Sequence, residues 1–470
     1  MIFVIFVILF YDESFRMGGE ILNFFSLIKS ALDKFFVKNP PTTSHEMETQ
    51  SELWHDIYMN NGIWLKNDVI SLRLPTAITS ELSRLVFAES VIRTDEKSPY
   101  KAIIDDFSNR LDDEFETALA FGGMMFKPFL SQGKIYIDLI RADCFAPVEF
   151  VGKMMTSAIF VSKKTVGNTY FTLVEYHKFN GKDRTHTIKN KVCKSLNSEI
   201  IGWECNFSEV PEWSGLVKEI TFINVEKPLF SYFKVPSSND IDIDSPLGVS
   251  VYARAVDLIR QADEQWARIE WEYESKETAL DVSTDMIKEN TLPKRKNRIY
   301  RKYDVDNLDG NFYNIFSPEI RDSAQFNYFN RILQRIEFNC GLAYGTLSDP
   351  QTVEKTAEEI KTSKQRSYTQ VSAIQRNLET AINDLFYAVS VYAKIGGISS
   401  ENAEIICTWG DSVLEDTDKE FQRRLQMVNA GILTKEKFIA WYFHCDESKA
   451  SEYIPQTDML FGGNKNAVTI

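Results

Sequence analysis

With 470 residues, 44% hydrophobic and 26% charged, the chain has an ordinary globular composition and the length for about two to four domains. Its formal net charge of −14 and pI near 5.1 exclude tight, general gripping of nucleic acid through neutralised phosphates, though not weak or transient contact. The six cysteines are scattered, with no pair at C-x-x-C spacing, which is a reduced intracellular pattern rather than a disulfide framework.

The opening MIFVIFVILF is apolar for ten residues, too few for a bilayer span of about twenty, and lacks the basic start and cleavage site of a signal peptide. Residues 1–16 are expected to be a start-site artefact or loose tail, with Met17 a sensible start, and the chain to be soluble. Residues 17–37 show helical spacing, broken by NPPTTS at 39–44. A second helix should bury Ile78, Leu82, Leu85 and Val86, capped by Thr76 or Thr79. A third should bury Ile104, Phe107, Leu111, Phe115 and Leu119.

From Met124 to Phe233 the pattern turns strand-like, with KIYIDLI, AIFVSKKTV, YFTLVEYHKF and EITFINV separated by Gly-, Asn- and Lys-rich turns. Helices followed by antiparallel strands make the fold class α+β. Helical spacing then returns in Val251, Ala255, Leu258, Ala262, Trp266, Ile269 and Tyr273, which predicts a helix over 246–276 capped by Ser245 and opened by Pro246. A short strand-prone segment follows, then a helix opened by Ser317-Pro318. After a loop containing Gly345 and Asp349-Pro350 comes a helix from about Val353 to Lys394, burying Val371, Ile374, Leu378, Ile382, Leu385, Val389 and Tyr392. The tail reads as a strand and two helices joined at Gly431.

Catalytic chemistry has no foothold in these residues. The aspartates of DIDID (Asp240, Asp242, Asp244) imitate a calcium loop, but its sixth position is Ser245 and its twelfth Val251, so the loop could neither turn sharply nor close. FGGMMFKP lacks the P-loop spacing and reads as a helix-to-strand turn. The five histidines are dispersed and read as structural, and His444 beside Cys445 has the wrong spacing for zinc. Asp105-Asp106 and Asp112-Asp113 read as solvated helix faces. Neither metal nor cofactor is expected. The cationic cluster Lys294, Arg295, Lys296, Arg298, Arg301 and Lys302, interleaved with Tyr300 and Tyr303, would suit phosphates, an acidic partner or plain solvent.

Four segments in order carry a resemblance: ALAFGGMMFKPFL with IDLIRADCFAPVEF, DSPLGVSVYARAVDLIRQADEQW, GLAYGTLSDPQTVEKTAEEI, and TWGDSVLEDTDKEFQRRLQMVNAGILTKEKFIAWYF. Together, over about residues 60–450, the chain resembles the portal proteins of long-tailed phages of Gram-positive bacteria. The resemblance implies a homo-oligomeric ring, typically a dodecamer, at one capsid vertex. Double-stranded DNA would pass through it without sequence-specific binding during packaging and ejection. It also implies the terminase large subunit, head-completion or adaptor proteins, and major capsid or scaffold protein as partners. The place would be the virion, after assembly in the host cytoplasm.

The implied layout is an N-terminal tail and helix at 1–39, a wing at 40–245, stem helices at 246–276 and 317–340, and a clip at 277–316 that meets the motor and later the head-completion proteins. A tunnel loop at 341–352, a long kinked helix at 353–394, and a returning strand, crown and tail at 395–470 complete it. The loop residues Gly345, Thr346, Ser348 and Gln351, with Lys355, Lys361 and Lys364 behind them, would face DNA, and the six clip cations would meet a partner. Acidity then suits sliding: twelve firmly held phosphates would give a log K versus log salt slope near −0.9 times about twelve. Other readings are a packaging ATPase or nuclease, which would need a P-loop and Mg²⁺ carboxylates, and a helical scaffold or adaptor.

Overall fold

The computed structural model describes residues 43–65, 69–131, 133–198, 200–275, 279–283, 300–303, 313–316, 321–349, 357–410, 417–443, 450 and 453. They fall into two compact units, Met1–Trp409 and Gly410–Ile470. The expected helix over 17–37 lies outside the described residues.

The first unit opens with α1 (His45–Tyr58), capped by the Ser44 hydroxyl, which accepts the Met47 amide at 3.3 Å. Helix α2 (Leu74–Phe87) begins two residues before Thr76 because Pro75 sits in its first turn. The expected threonine cap is therefore replaced: the Thr79 hydroxyl lies inside the helix and donates to the Pro75 carbonyl at 3.1 Å. Ile78, Leu82 and Val86 are buried as the spacing predicts, and Leu85 is half-buried. After β1 (Val91–Arg93), helix α3 (Lys101–Phe121) buries all five of its expected residues. Gly122, at φ 85°, ends α3, and the chain turns directly into a strand.

That strand, β2 (Gly123–Ser131), pairs antiparallel with β3 (Lys134–Arg141). Then come β4 (Phe145–Val151), β5 (Met154–Val166), β6 (Thr169–Asn180), β7 (Thr185–Ser195), β8 (Trp203–Cys205) and β9 (Glu219–Ile223). They form an antiparallel sheet in the order β4-β5-β6-β7-β8, with β9 pairing another stretch of β7. β10 (Ser231–Lys234) returns to the far side of β2, giving a second sheet ordered β10-β2-β3. Met125, Phe145, Phe160 and Phe230 belong to one buried cluster between these strands.

Residues 245–252 are not the helical turns that the spacing predicts. A 3₁₀ turn occupies Ala253–Ala255, and α4 runs only over Val256–Ser275. The reason is tertiary. The backbone of Gly248 lies so close to Gly122 that a Cβ on Gly248 would overlap the Gly122 carbonyl oxygen, and the Val251 amide donates to the Leu119 carbonyl at 3.1 Å. Crossing the end of α3 this closely spends the hydrogen bonds a helix would have used. Ser245 accordingly caps no helix, and its hydroxyl accepts the Leu247 amide at 3.4 Å. On α4 the buried face runs through Ile259, Ala262 and Ile269, continuing from Ala255 in the turn before it, while Trp266 is half-buried and Tyr273 is exposed.

Three short strands follow: β11 (Ala279–Ser283), β12 (Tyr300–Tyr303) and β13 (Tyr313–Phe316). β11 is central, parallel to β12 and antiparallel to β13. Helix α5 (Asp322–Cys340) packs along α4, with Trp266 set against Phe326 and Phe329 at centroid distances of 6.4 and 5.5 Å. At the far end of this helix pair the Glu272 carboxylate is buried and accepts from Arg321 Nε at 3.3 Å and Gln325 Nε2 at 3.0 Å.

Helix α6 (Ala357–Ile395) runs 39 residues, about 58 Å at 1.5 Å per residue. Residues 353–356 of the expected helix lie outside the described ones. All seven apolar residues predicted for its face, from Val371 to Tyr392, are buried. They lie against the β10-β2-β3 sheet, where Phe107 of α3 meets Phe126 of β2 and Phe386 of α6, both edge-on. The Ser231 hydroxyl donates to the Ala381 carbonyl at 2.7 Å and fixes the helix on its sheet. β14 (Ile406–Thr408) closes the unit by pairing with β1.

The second unit holds α7 (Thr417–Asn429) and α8 (Lys435–Tyr442), with Gly431 at φ 71° between them, as expected. Thr434 caps α8, and Phe421 packs on Phe438 with centroids 5.3 Å apart.

Candidate functional site

The segment between α5 and α6 is where the sequence places its functional loop, and nine of its residues, 341–349, are described. Its first turn is a helix C-cap. Gly341 takes φ 75°, the Leu342 amide donates back to the Glu337 carbonyl at 2.9 Å, and the Leu342 side chain is fully buried. A Cβ on Gly341 would stand 2.9 Å from Gln370 Cγ, so α6 passes directly over this turn. The Ser367 hydroxyl of α6 donates to the Gly341 carbonyl at 3.4 Å.

The rest of the loop folds around one carboxylate. Glu337, in the last turn of α5, is 0% exposed. Its Oε1 accepts the amides of Gly345, Leu347 and Ser348 at 3.1, 2.6 and 2.8 Å, and its Oε2 accepts the Ser348 hydroxyl at 2.9 Å. Gly345 makes this possible with φ 93°, which turns successive amides inward to form a nest for an anion. One turn pair earlier on α5, Asn330 meets Asp349 through both ends of its amide: Oδ1 accepts the Asp349 amide at 2.8 Å and Nδ2 donates to the Asp349 carbonyl at 3.3 Å. Arg366 of α6 covers the loop's flank, its guanidinium carbon 4.3 Å from the Phe338 ring centroid and 5.2 Å from that of Tyr344.

Of the residues expected to face DNA, Gly345, Thr346 and Ser348 come together here. Thr346 is exposed at the tip, its hydroxyl donating to the Ala343 carbonyl at 2.7 Å. Ser348 is buried at 4% exposure with its hydroxyl committed to Glu337, so it anchors the loop from within. Gln351 and Lys355 lie outside the described residues. Lys361 and Lys364 fall on the first turns of α6, where the backbone alone is described. In the strand-prone segment Lys294, Arg295, Lys296 and Arg298 also lie outside, whereas Arg301 and Lys302 are on β12, in register with Asp281 and Val282 of β11.

Sequence reasoning passed over Glu337 and Asn330. A signal was present, because Asn330, Leu333, Glu337 and Cys340 recur at steps of three, four and three and all four are buried. Polar residues interrupting an apolar stripe must find partners, and these find them in the loop.

The sheets hold a second set of buried polar groups that sequence reasoning missed. The Lys127 ammonium of β2 is buried 2.6 Å from Glu175 and 3.6 Å from Asp138. Burial, opposed by Lys127 and reinforced by the Glu175 charge, pushes the Asp138 carboxyl up to about 6. Next to it the Leu229 amide donates to His186 Nδ1 at 3.4 Å, which places the His186 proton on Nε2, 3.2 Å from His177 Nδ1. Burial pulls His186 down to about 3 and His177 well below the ordinary range, so both rings are neutral in the fold.

The loop itself lies where α5 and α6 meet, anchored by Glu337 and Asn330 on one helix and touched by Ser367 and Arg366 on the other. No curated protein matches the chain. A family model described as phage portal protein, SPP1 Gp6-like, matches residues 103–456, from α3 to beyond α8. Spanning the two larger antiparallel sheets, the helix pair, the loop and the long helix, that match establishes that the chain belongs to the SPP1 Gp6-like family of phage portal proteins.

Proposed function

We propose that copies of this chain stand side by side as a ring of twelve at one capsid vertex and form a channel for double-stranded DNA. Residues 40–245 are its wing, α4 and α5 its stem, 277–316 its clip, and 341–352 its tunnel loop. Thr346 at the loop tip, with Gln351, Lys355, Lys361 and Lys364, faces the DNA, and Gly345 and Ser348 give the tip its shape. Lys294, Arg295, Lys296, Arg298, Arg301 and Lys302 meet the terminase large subunit and later the head-completion proteins. The part played by the chain is conduction and docking, without catalysis, within the virion.

One observation carries the ring. The α4–α5 pair leaves large aromatic side chains in water: Trp271 is 69% exposed, Tyr328 50% and Tyr273 42%. Aromatics left uncovered along one helical hairpin are the mark of a surface that a neighbour covers. Flanking copies of the same hairpin supply that cover on both sides and close a ring.

Electron micrographs of the purified protein test this directly, with rings around a central hole as the expected result and a lone monomer at every concentration as the refuting one. Deleting Leu342 to Gln351 should leave rings intact and impair packaging into proheads. Charge reversal at Arg295 and Arg298 should weaken binding to the terminase, and an unchanged affinity would remove the clip assignment.

A further inference from the structure

We infer that Glu337 is the positioning residue of the tunnel loop: its carboxylate fills the amide nest of residues 345–348, fixing the loop on α5 and closing that nest to DNA phosphates. The first half rests on geometry alone, and the second rests on the loop facing DNA as proposed above.

The nest would otherwise bind anions. Three amides and one hydroxyl converge within 3.1 Å of the two carboxylate oxygens. Convergent donors on a glycine-bearing turn are the backbone arrangement that binds phosphate elsewhere. Glu337 forms no ion pair among the described residues, and its buried charge is met by these loop dipoles instead. The carboxylate and the loop conformation therefore need each other: without the loop the charge is buried unsolvated, and without the charge the amides are unpaired.

The direction of attachment matters as well. The loop's strongest bonds run to Glu337 and Asn330, both on α5, whereas α6 contributes the longer Ser367 contact and the Arg366 stack. The described loop thus moves with the second stem helix more closely than with the long helix behind it.

In a ring, an unfilled nest on every subunit would be a circle of phosphate sites, and many simultaneous phosphate contacts make binding tight and steeply salt-dependent. A filled nest leaves Thr346 and neutral backbone at the tip, past which a polyanion slides.

The test uses assembled rings of wild type, Glu337→Ala, Glu337→Gln and Ser348→Ala. Amide hydrogen exchange at Gly345, Leu347 and Ser348 should accelerate about 10- to 100-fold in Glu337→Ala, the range set by losing charge-assisted bonds. Glu337→Gln should accelerate it several-fold less, since its carbonyl oxygen still accepts the amides. Ser348→Ala should change it least. Unchanged exchange at the three amides in Glu337→Ala rings overturns the clamp. If that variant forms no rings, unchanged exchange in Glu337→Gln overturns it instead. Retention of a short DNA duplex by Glu337→Ala rings should rise at low salt and vanish at high salt. Faster exchange without any gain in DNA retention keeps the clamp and overturns the closing of the nest to phosphates, while the loop's place on the DNA path is decided separately by packaging with the loop deleted.

Discussion

Two buried charges in this chain are handled in opposite ways. In the sheets, Lys127 sits between Glu175 and Asp138, so charge answers charge within rigid strands. At the loop, Glu337 is answered by backbone dipoles that exist only while residues 345–348 hold one conformation. The first arrangement stabilises the unit that carries it whatever the loop does. The second makes the loop's shape and the carboxylate's burial a single event.

The sharpest way to break the comparison is Lys127→Ala. Stranding two buried carboxylates should cost about 3–5 kcal/mol in urea unfolding, while exchange at Gly345, Leu347 and Ser348 below the unfolding threshold stays as in wild type. Replacing Lys127, Glu175 and Asp138 together by Met, Leu and Leu should recover most of that loss, and failure to recover would mean the triad does more than neutralise itself.

Next in size is Gly248→Ala, whose new Cβ would overlap the Gly122 carbonyl. Overpacking of this kind costs about 1–3 kcal/mol. The loss should appear as a lower unfolding midpoint, and an unchanged midpoint would show that the crossing can open.

Acid should weaken the sheets. His177 and His186 stay neutral in the fold but would each take up a proton in the unfolded chain below about pH 6.5, so their contribution is lost as pH falls toward about 3. Asp138 opposes this, because its folded carboxyl is held up to about 6 and binds a proton there before the unfolded one does. Among these three groups the balance is one proton, about 1.4 kcal/mol of stability lost per pH unit between about 6 and 4. Ring chemical shifts of the two histidines against pH check their part in this, and protonation of either ring near pH 6 in the folded chain would overturn it.

The smallest effect is expected from Asn330→Ala, which frees the Asp349 amide and carbonyl at the loop's far end. About 1 kcal/mol should be visible as faster exchange at Asp349, with Gly345 and Ser348 still protected. Spread of the effect to all the loop amides would join the two anchors into one.

The legibility of these regions in the sequence follows the range of the interactions that made them. The α6 stripe from Val371 to Tyr392 and the α3 stripe from Ile104 to Leu119 were readable because burial at helical spacing is a local pattern. The loop was readable from Gly345 and Asp349-Pro350, which restrict the backbone wherever they occur. The start of α4 was not, since the Gly248 approach to Gly122 joins residues more than a hundred positions apart. Lys127 was missed for the same reason, its partners lying on two other strands. Glu337 was missed because a glutamate near the end of a helix ordinarily faces water.

The Gly122–Gly248 contact has a mechanical side. With no side chain between the two backbones, the passage from sheet to α4 has no cushion to compress, and close-packed atoms transmit displacement rather than absorb it. A push along α4 therefore arrives undiminished at the start of β2, the strand that carries Lys127 and underlies the long helix. A pinch of bare backbone makes this joint a stiff link between the helix pair and the sheets.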